Sequence, residues 1–361
     1  MSQSEFNVWS KWDPLKKVVI GTCLDQHYFE HVKNIEIKEK LTQILIETQE
    51  DLDNFAGTLE SLGVKVLRGN PQHQIFPKRL DPDRPAHDTV KVLLYPRDYY
   101  MVLGNNLIAS HHAMISQDYY PEITSSVKNH TKSAWHNLLI DRKINGIIPP
   151  SWTLIGKDLF VDTQDYCINW IKNPPDWFKQ KTIQDMTEWA KQWLPEVDVH
   201  WLDIGGHNDG TFHACKPGVI ISLHDIQKYA ETFPGWDVLY LPDQSWDAVD
   251  GFLKIKDKTQ GKYWIPGEEN NQELLDFINS WLNEWVGFVE ETVFDVNCLM
   301  VNQNTVCVSN YNKQVFDFFK KHKIEPIICP IRHRYFWDGG LHCVSLDLYR
   351  EGECQSYINY T

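Results

Sequence analysis

What most constrains the fold of this chain is an order of segments that recurs along it: a short hairpin, a helical stretch and a short strand. Residues 17–22 read as a buried strand ending in a turn, residues 35–62 carry a long helical pattern, and residues 64–67 form a short strand. Residues 99–110 read as a hairpin folded at Gly104-Asn105-Asn106, followed by a polar helical region and the strand-like Gly146-Ile147-Ile148. The order returns with 154–162, a helix near 182–193 and a strand at 197–202. It returns again with a hairpin at 212–222 turning on Lys216-Pro217-Gly218, a short helix near 225–232 and a strand at 238–241. Last come 298–309, turning at Asn302-Gln303-Asn304, a helix over 313–322 and a strand at 324–329.

About five such units argue for one repeat-built α/β domain over residues 1–361. Each unit buries its face only against neighbours, and five closing in a ring would set their inner loops round a common axis. An ordinary doubly wound sheet is the rival, but it offers no equivalent position for loop residues in every unit. Residues 242–292 interrupt the pattern. Within them Leu274, Leu275, Ile278, Trp281, Leu282, Trp285 and Val289 have helical spacing, which predicts an amphipathic helix on the domain surface, with a lid or dimer contact as the alternative. No Gly-rich phosphate loop is present, so no nucleotide cofactor is indicated.

With 361 residues, 42% of them hydrophobic and 15 of them Trp, the chain can bury a large core and does not read as disordered. A formal charge of −14 disfavours nucleic acid and anionic membrane as partners and suits a small cationic substrate. None of the eight cysteines shows the C-x-x-C spacing of a zinc or redox site, and most are expected to be buried thiols. No basic segment with an apolar core opens the chain, and no apolar run approaches 18 residues. A reducing cytoplasm is the expected location.

Residues 337–348 carry the most suggestive chemistry. Leu341, Cys343, Ser345 and Asp347 alternate with His342, Val344, Leu346 and Leu348, which predicts a strand with a thiol at its start. Gly339 and Gly340 before it would let a second molecule approach the backbone closely. Taken alone, Cys343 is more readily a buried apolar filler. Three further loops change the balance: Pro96-Arg97-Asp98, Asp162-Thr163-Gln164-Asp165, and Gly205-Gly206-His207-Asn208-Asp209-Gly210-Thr211. A nucleophilic Cys needs an acid or base nearby, and an imidazole in that role is commonly oriented by a carboxylate. Cys343, His207 and Asp162 supply those three types. Asp98 and Asp209 would add an anionic cradle that raises a neighbouring thiol's pKa unless a cation is bound, and a planar guanidinium suits such a cradle. His207 and Asp209 lack a third ligand at metal spacing, so no metal is expected.

Tyr95-Pro96-Arg97-Asp98, Leu103-Gly104-Asn105, Val161-Asp162-Thr163-Gln164-Asp165-Tyr166, His207-Asn208-Asp209-Gly210-Thr211-Phe212 and Gly339-Gly340-Leu341-His342-Cys343 together resemble the arginine:glycine amidinotransferases. The tail Leu346-Asp347-Leu348-Tyr349-Arg350-Glu351-Gly352 is similar to the ending of those enzymes and unlike that of arginine deiminases. The resemblance implies the five-bladed pseudo-symmetric α/β propeller of guanidino-modifying enzymes, in agreement with the repeat count. It implies Cys343 as the nucleophile that carries the amidino group, His207 as acid and base, Asp162 as its carboxylate partner, and Asp98 and Asp209 as holders of the guanidinium. Arginine and a primary amine would be the substrates, ornithine a product, and no metal or organic cofactor is required. A homodimer is a further expectation of the family.

Two positions depart from the family pattern. The arginine that by the resemblance grips the donor carboxylate is missing from Ser222-Leu223-His224-Asp225-Ile226, and Glu291 stands where an assisting serine is expected. An acidic group there repels a carboxylate and attracts an amine. Gly205 and Gly206, in place of bulkier residues, leave room for an acceptor larger than glycine. The alternatives are a deiminase-like hydrolase on the same fold and a non-catalytic member that binds guanidino compounds.

Overall fold

The computed structural model describes residues 5–30, 32–69, 94–98, 100–109, 152–162, 194–202, 208–223, 229–241, 295–337 and 339–359, with a few more between 183 and 192 and between 268 and 276. Among these residues the strands form five separate small sheets and not one continuous doubly wound sheet. In the first, β1 (Leu15–Ile20) lies between β14 (Ser345–Arg350), antiparallel to it, and β2 (Lys65–Arg68), parallel to it. The crossover from β1 to β2 is α1 (Ile35–Ser61), which Asn34 caps by accepting from the backbone N–H of Glu36 and Ile37. The second sheet is the hairpin β3 (Tyr100–Leu103) and β4 (Asn106–Ala109).

The other three repeat one design, an antiparallel hairpin whose second strand takes a parallel partner. The third joins β5 (Trp152–Ile155), β6 (Asp158–Asp162) and β7 (Asp198–Leu202). The fourth follows a single helical turn, α2 (Asn208–Thr211), and joins β8 (Phe212–Lys216), β9 (Val219–Ser222) and β10 (Asp237–Tyr240). The fifth joins β11 (Leu299–Asn302), β12 (Thr305–Val308) and β13 (Glu325–Ile328), with α3 (Lys313–Lys321) as its crossover. The turns at 104–106, 216–218 and 302–304 sit where the sequence places them. The strand-like Gly146-Ile147-Ile148 lies outside the described residues, as does most of the 242–292 insertion. From that insertion, Leu274 is fully buried in the core beneath α1, and Glu268 and Glu273 pair with Lys40 and Asn34.

Helical periodicity turns Ile37, Leu41, Ile44, Leu45, Leu52, Phe55 and Leu59 of α1 into the core that also takes in Val18, Val19, Leu346 and Leu348 of β1 and β14, all four fully buried. Each such side chain contributes about 1.5–3 kcal/mol. The same helix holds the segment leading to β14: Asp51 accepts from the Arg332 backbone and side chain at 2.7 and 2.8 Å, and Trp337 Nε1 donates to Thr48 Oγ1 at 2.7 Å.

The two ends of the described chain are tied by charge as well as by strand pairing. Arg350 is wholly buried; its Nε donates to Asp347 Oδ2 at 2.8 Å, Nη1 to the Asp13 carbonyl at 2.6 Å and Nη2 to the Met300 carbonyl at 2.8 Å. Burial alone would raise the Asp347 pKa, but Arg350 and Arg97 overcome it and hold the carboxyl well below its ordinary range. Removing one partner of a buried ion pair strands the other. Arg350→Met is therefore expected to cost about 3 kcal/mol or more of unfolding free energy, measured by urea denaturation, while Lys313→Met, which breaks an exposed pair with Asp317, is expected to leave the transition essentially unmoved.

Candidate functional site

Cys343 does not stand at the start of a strand. Strand β14 begins at Ser345, and residues 341–344 form a tight turn in which the Val344 N–H donates to the Gly340 carbonyl and that of Ser345 to the His342 carbonyl, both at 3.1 Å. The cause is Asn297, buried just before β11. Its Oδ1 accepts the backbone N–H of His342 at 3.0 Å and of Cys343 at 3.1 Å, which draws those donors out of the sheet ladder. Its Nδ2 donates to Cys343 Sγ at 2.9 Å and to the Asp209 carbonyl at 3.3 Å.

The two glycines serve the same construction. A Cβ on Gly340 would come within 2.7 Å of Asn297 Oδ1, and one on Gly339 within 2.6 Å of the Tyr95 ring. The close approach that they permit is by other parts of this chain. Tyr95 in turn donates its hydroxyl to the Trp337 carbonyl.

Asp209, in α2, faces the turn. Its Oδ2 lies 2.7 Å from His342 Nδ1 and 3.6 Å from Cys343 Sγ, and the residue is 1% exposed. From the other side Arg97 Nε donates to the His342 and Ser345 carbonyls at 3.1 and 3.0 Å, while its Nη2 reaches Asp347 Oδ1 at 3.0 Å. Behind Asp209 and His342 lies a cavity of about 40 Å³ bordered by Lys11, Arg97 and Asp347. Burial pulls the Lys11 amine down to about 8 against the attraction of Asp209. The His342 imidazole is pushed down to about 3 by burial and by Arg97 and Lys11, against its hydrogen bond to Asp209. It is therefore neutral at ordinary pH.

A thiol held between an amide donor and a carboxylate, with a neutral imidazole against that carboxylate, can act as a nucleophile toward a planar cation lying on Asp209. Burial pushes the thiols of Cys23, Cys215 and Cys298 up, the last to about 12. Among the described residues no group of three or more His, Cys, Asp or Glu is arranged to hold a metal ion.

Of the residues expected from the sequence, Cys343 and Asp209 are brought together. Asp98 closes a short 3-10 turn, Pro96–Asp98, and Asp162 ends β6; the description covers their backbone only. His207, directly before α2, lies outside the described residues, as do Thr163 to Asp165, Gly205, Gly206, His224 to Ile226 and Glu291. Asn297 and His342 are site residues that the sequence does not single out. Asn297 is one polar residue before an apolar run, and nothing local distinguishes it from a turn former. His342 carries one signal, its place beside the cysteine, but strand periodicity assigns it to the opposite face.

No family model matches the chain. Curated proteins resemble it over almost their whole length. L-arginine:L-lysine amidinotransferase of Pseudomonas savastanoi pv. phaseolicola is 23% identical over 97% of this chain and 96% of that protein. Inosamine-phosphate amidinotransferase 1 of Streptomyces griseus is 22% identical over 95% and 96%. Among solved structures, an amidinotransferase of the saxitoxin biosynthetic pathway from Microseira wollei superposes with a TM-score of 0.63 at 16% identity, covering 98% of this chain and all of that one. The chain shares that α/β fold.

The site is flanked by a second buried imidazole. His213 is wholly buried, packs edge-on to His342 with ring centroids 6.2 Å apart, and has no hydrogen-bond partner for either ring nitrogen among the described residues. Burial first, then Lys11 and His342, hold its pKa well below the ordinary value. The unfolded chain therefore binds protons on both histidines before the folded one does, and stability falls as pH drops below about 6.5. His213→Phe is expected to flatten that acid limb, measured as unfolding free energy between pH 7 and 4, and to raise stability at pH 5 by about 1–3 kcal/mol through loss of an unsatisfied polar group.

Proposed function

Since the chain is homologous to amidinotransferases over almost its whole length, we propose that it moves an amidino group from L-arginine or a related guanidino donor to a primary amine. The observation that carries the reading is the Cys343 thiol, set 2.9 Å from the Asn297 amide and 3.6 Å from the Asp209 carboxylate. In this reading the five small sheets are the blades of a pseudo-symmetric α/β propeller, and the site lies where their loops converge.

The donor guanidinium lies against Asp209 and Asp98, which accept its N–H groups in pairs. The Cys343 thiolate attacks the guanidinium carbon, and Asn297 stabilises charge on the sulfur by donating to it. The bond from that carbon to the departing nitrogen breaks as His207, oriented by Asp162, hands over a proton. Ornithine leaves, and an amidino-cysteine remains. An incoming amine then gives its proton to His207 and attacks the same carbon, the C–S bond breaks, and the thiolate is regenerated. The missing arginine in 222–226 and the acidic Glu291 favour an acceptor or donor with a cationic end over one with a carboxylate there.

Purified protein incubated with L-arginine alone is expected to gain the mass of one amidino group on Cys343 and to release ornithine. Ornithine release should continue when glycine, lysine or a small diamine is added as the true acceptor. Cys343→Ala should lose the adduct and all turnover while keeping its thermal transition, and turnover by that variant would overturn the mechanism. Citrulline in place of ornithine would assign the chain to hydrolysis.

A further inference from the structure

We propose that His342 is a positioning residue for the donor guanidinium: its imidazole, with the proton on Nδ1, holds the Asp209 carboxylate by Oδ2 beside the Cys343 thiol. The inference rests on the amidino-transfer reading and names a residue to which that chemistry gives no step.

The backbone of His342 is gripped on both sides. Asn297 Oδ1 takes its N–H, while Arg97 Nε and Ser345 Oγ donate to its carbonyl at 3.1 Å each. The ring, 3% exposed, thus has little freedom, and Nδ1 lies 2.7 Å from Asp209 Oδ2. Nε2 is buried without a hydrogen-bond partner among the described residues. A carboxylate accepts and does not donate, so the nitrogen that faces Asp209 Oδ2 must carry the hydrogen, and the proton belongs on Nδ1.

Asp209 needs such a donor. It is 1% exposed, so water does not set its orientation. A guanidinium recognised by paired N–H bonds requires the carboxylate in one plane, and attack by sulfur requires the carbon in line with Sγ. Oδ2 faces both His342 Nδ1 and Cys343 Sγ, so the imidazole fixes the edge of the carboxylate that is turned to the nucleophile. His342 and Cys343 are consecutive and share the Asn297 acceptor, so the aligning group and the attacking group move as one piece.

Two amide substitutions separate this role from simple filling of space. In His342→Asn the side-chain nitrogen falls near the place of Nδ1, and in His342→Gln near that of Nε2. The readout is the rate of amidino adduct formation on Cys343 against donor concentration, using the guanidino compound that labels wild type. His342→Asn is expected to half-saturate within a few fold of wild type, and His342→Gln to need roughly ten- to a hundredfold more donor. Equal behaviour of the two variants, or a Gln variant that matches wild type, would overturn the inference while leaving transfer intact. Failure of wild type to label with any guanidino compound would sink the transfer reading and this inference with it. Should either variant not fold, 15N-imidazole NMR of wild type decides. One neutral Nδ1–H ring that does not titrate between pH 5 and 8 and shifts on donor addition is expected, and its absence counts against the proposal.

Discussion

A carboxylate taken out of water between two guanidinium groups sets the terms for the rest of this molecule. Asp347 is 3% exposed and accepts from Arg97 on one oxygen and Arg350 on the other. Isolated, such a charge would cost several kcal/mol to bury. Each arginine also donates to backbone carbonyls of distant segments. Arg350 reaches Asp13 and Met300, and Arg97 reaches His342 and Ser345. One buried acid thereby joins the N-terminal segment, the loop before β3, strand β11 and the turn that bears the thiol. The apolar clusters hold the sheets together without specifying how one sheet is set against the next, whereas these bonds are directional.

Much of the scaffold is legible in the residues. Turn chemistry at Gly104-Asn105-Asn106 and at Lys216-Pro217-Gly218 marks hairpins, and the helical pattern over 35–62 marks α1. These signals are local, and local physics decides them. The reading of 341–348 as strand throughout is wrong at its first four residues for the opposite reason. Alternating polarity is present there, but a side chain 46 positions earlier, Asn297, takes the N–H groups of His342 and Cys343 and bends the backbone into a turn. No period within the segment carries that information.

The site divides along the same line. Cys343 and Asp209 announce themselves through residue type and flanking glycines, and the structure places them 3.6 Å apart. The groups that set their chemistry do not. Asn297 is an ordinary asparagine until its amide is found against sulfur, and the neutrality of His342 follows from burial beside Arg97 and Lys11, which no spacing rule conveys. A thiol and a carboxylate can be nominated from residue type. The donors that hold them come from elsewhere in the fold.

The pairing of β1 with β14 has a consequence for how the chain is made. Residues 15–20 leave the ribosome early, yet their antiparallel partner, 345–350, emerges more than three hundred residues later. Until then β1 keeps one edge open, and Asp209 and Asn297 have no Cys343 turn to meet. Contacts so distant in sequence are slow to form, since their loop entropy is lost before any gain arrives. The turn that bears Cys343 therefore meets Asp209 and Asn297 only after the segments that contribute them have been made.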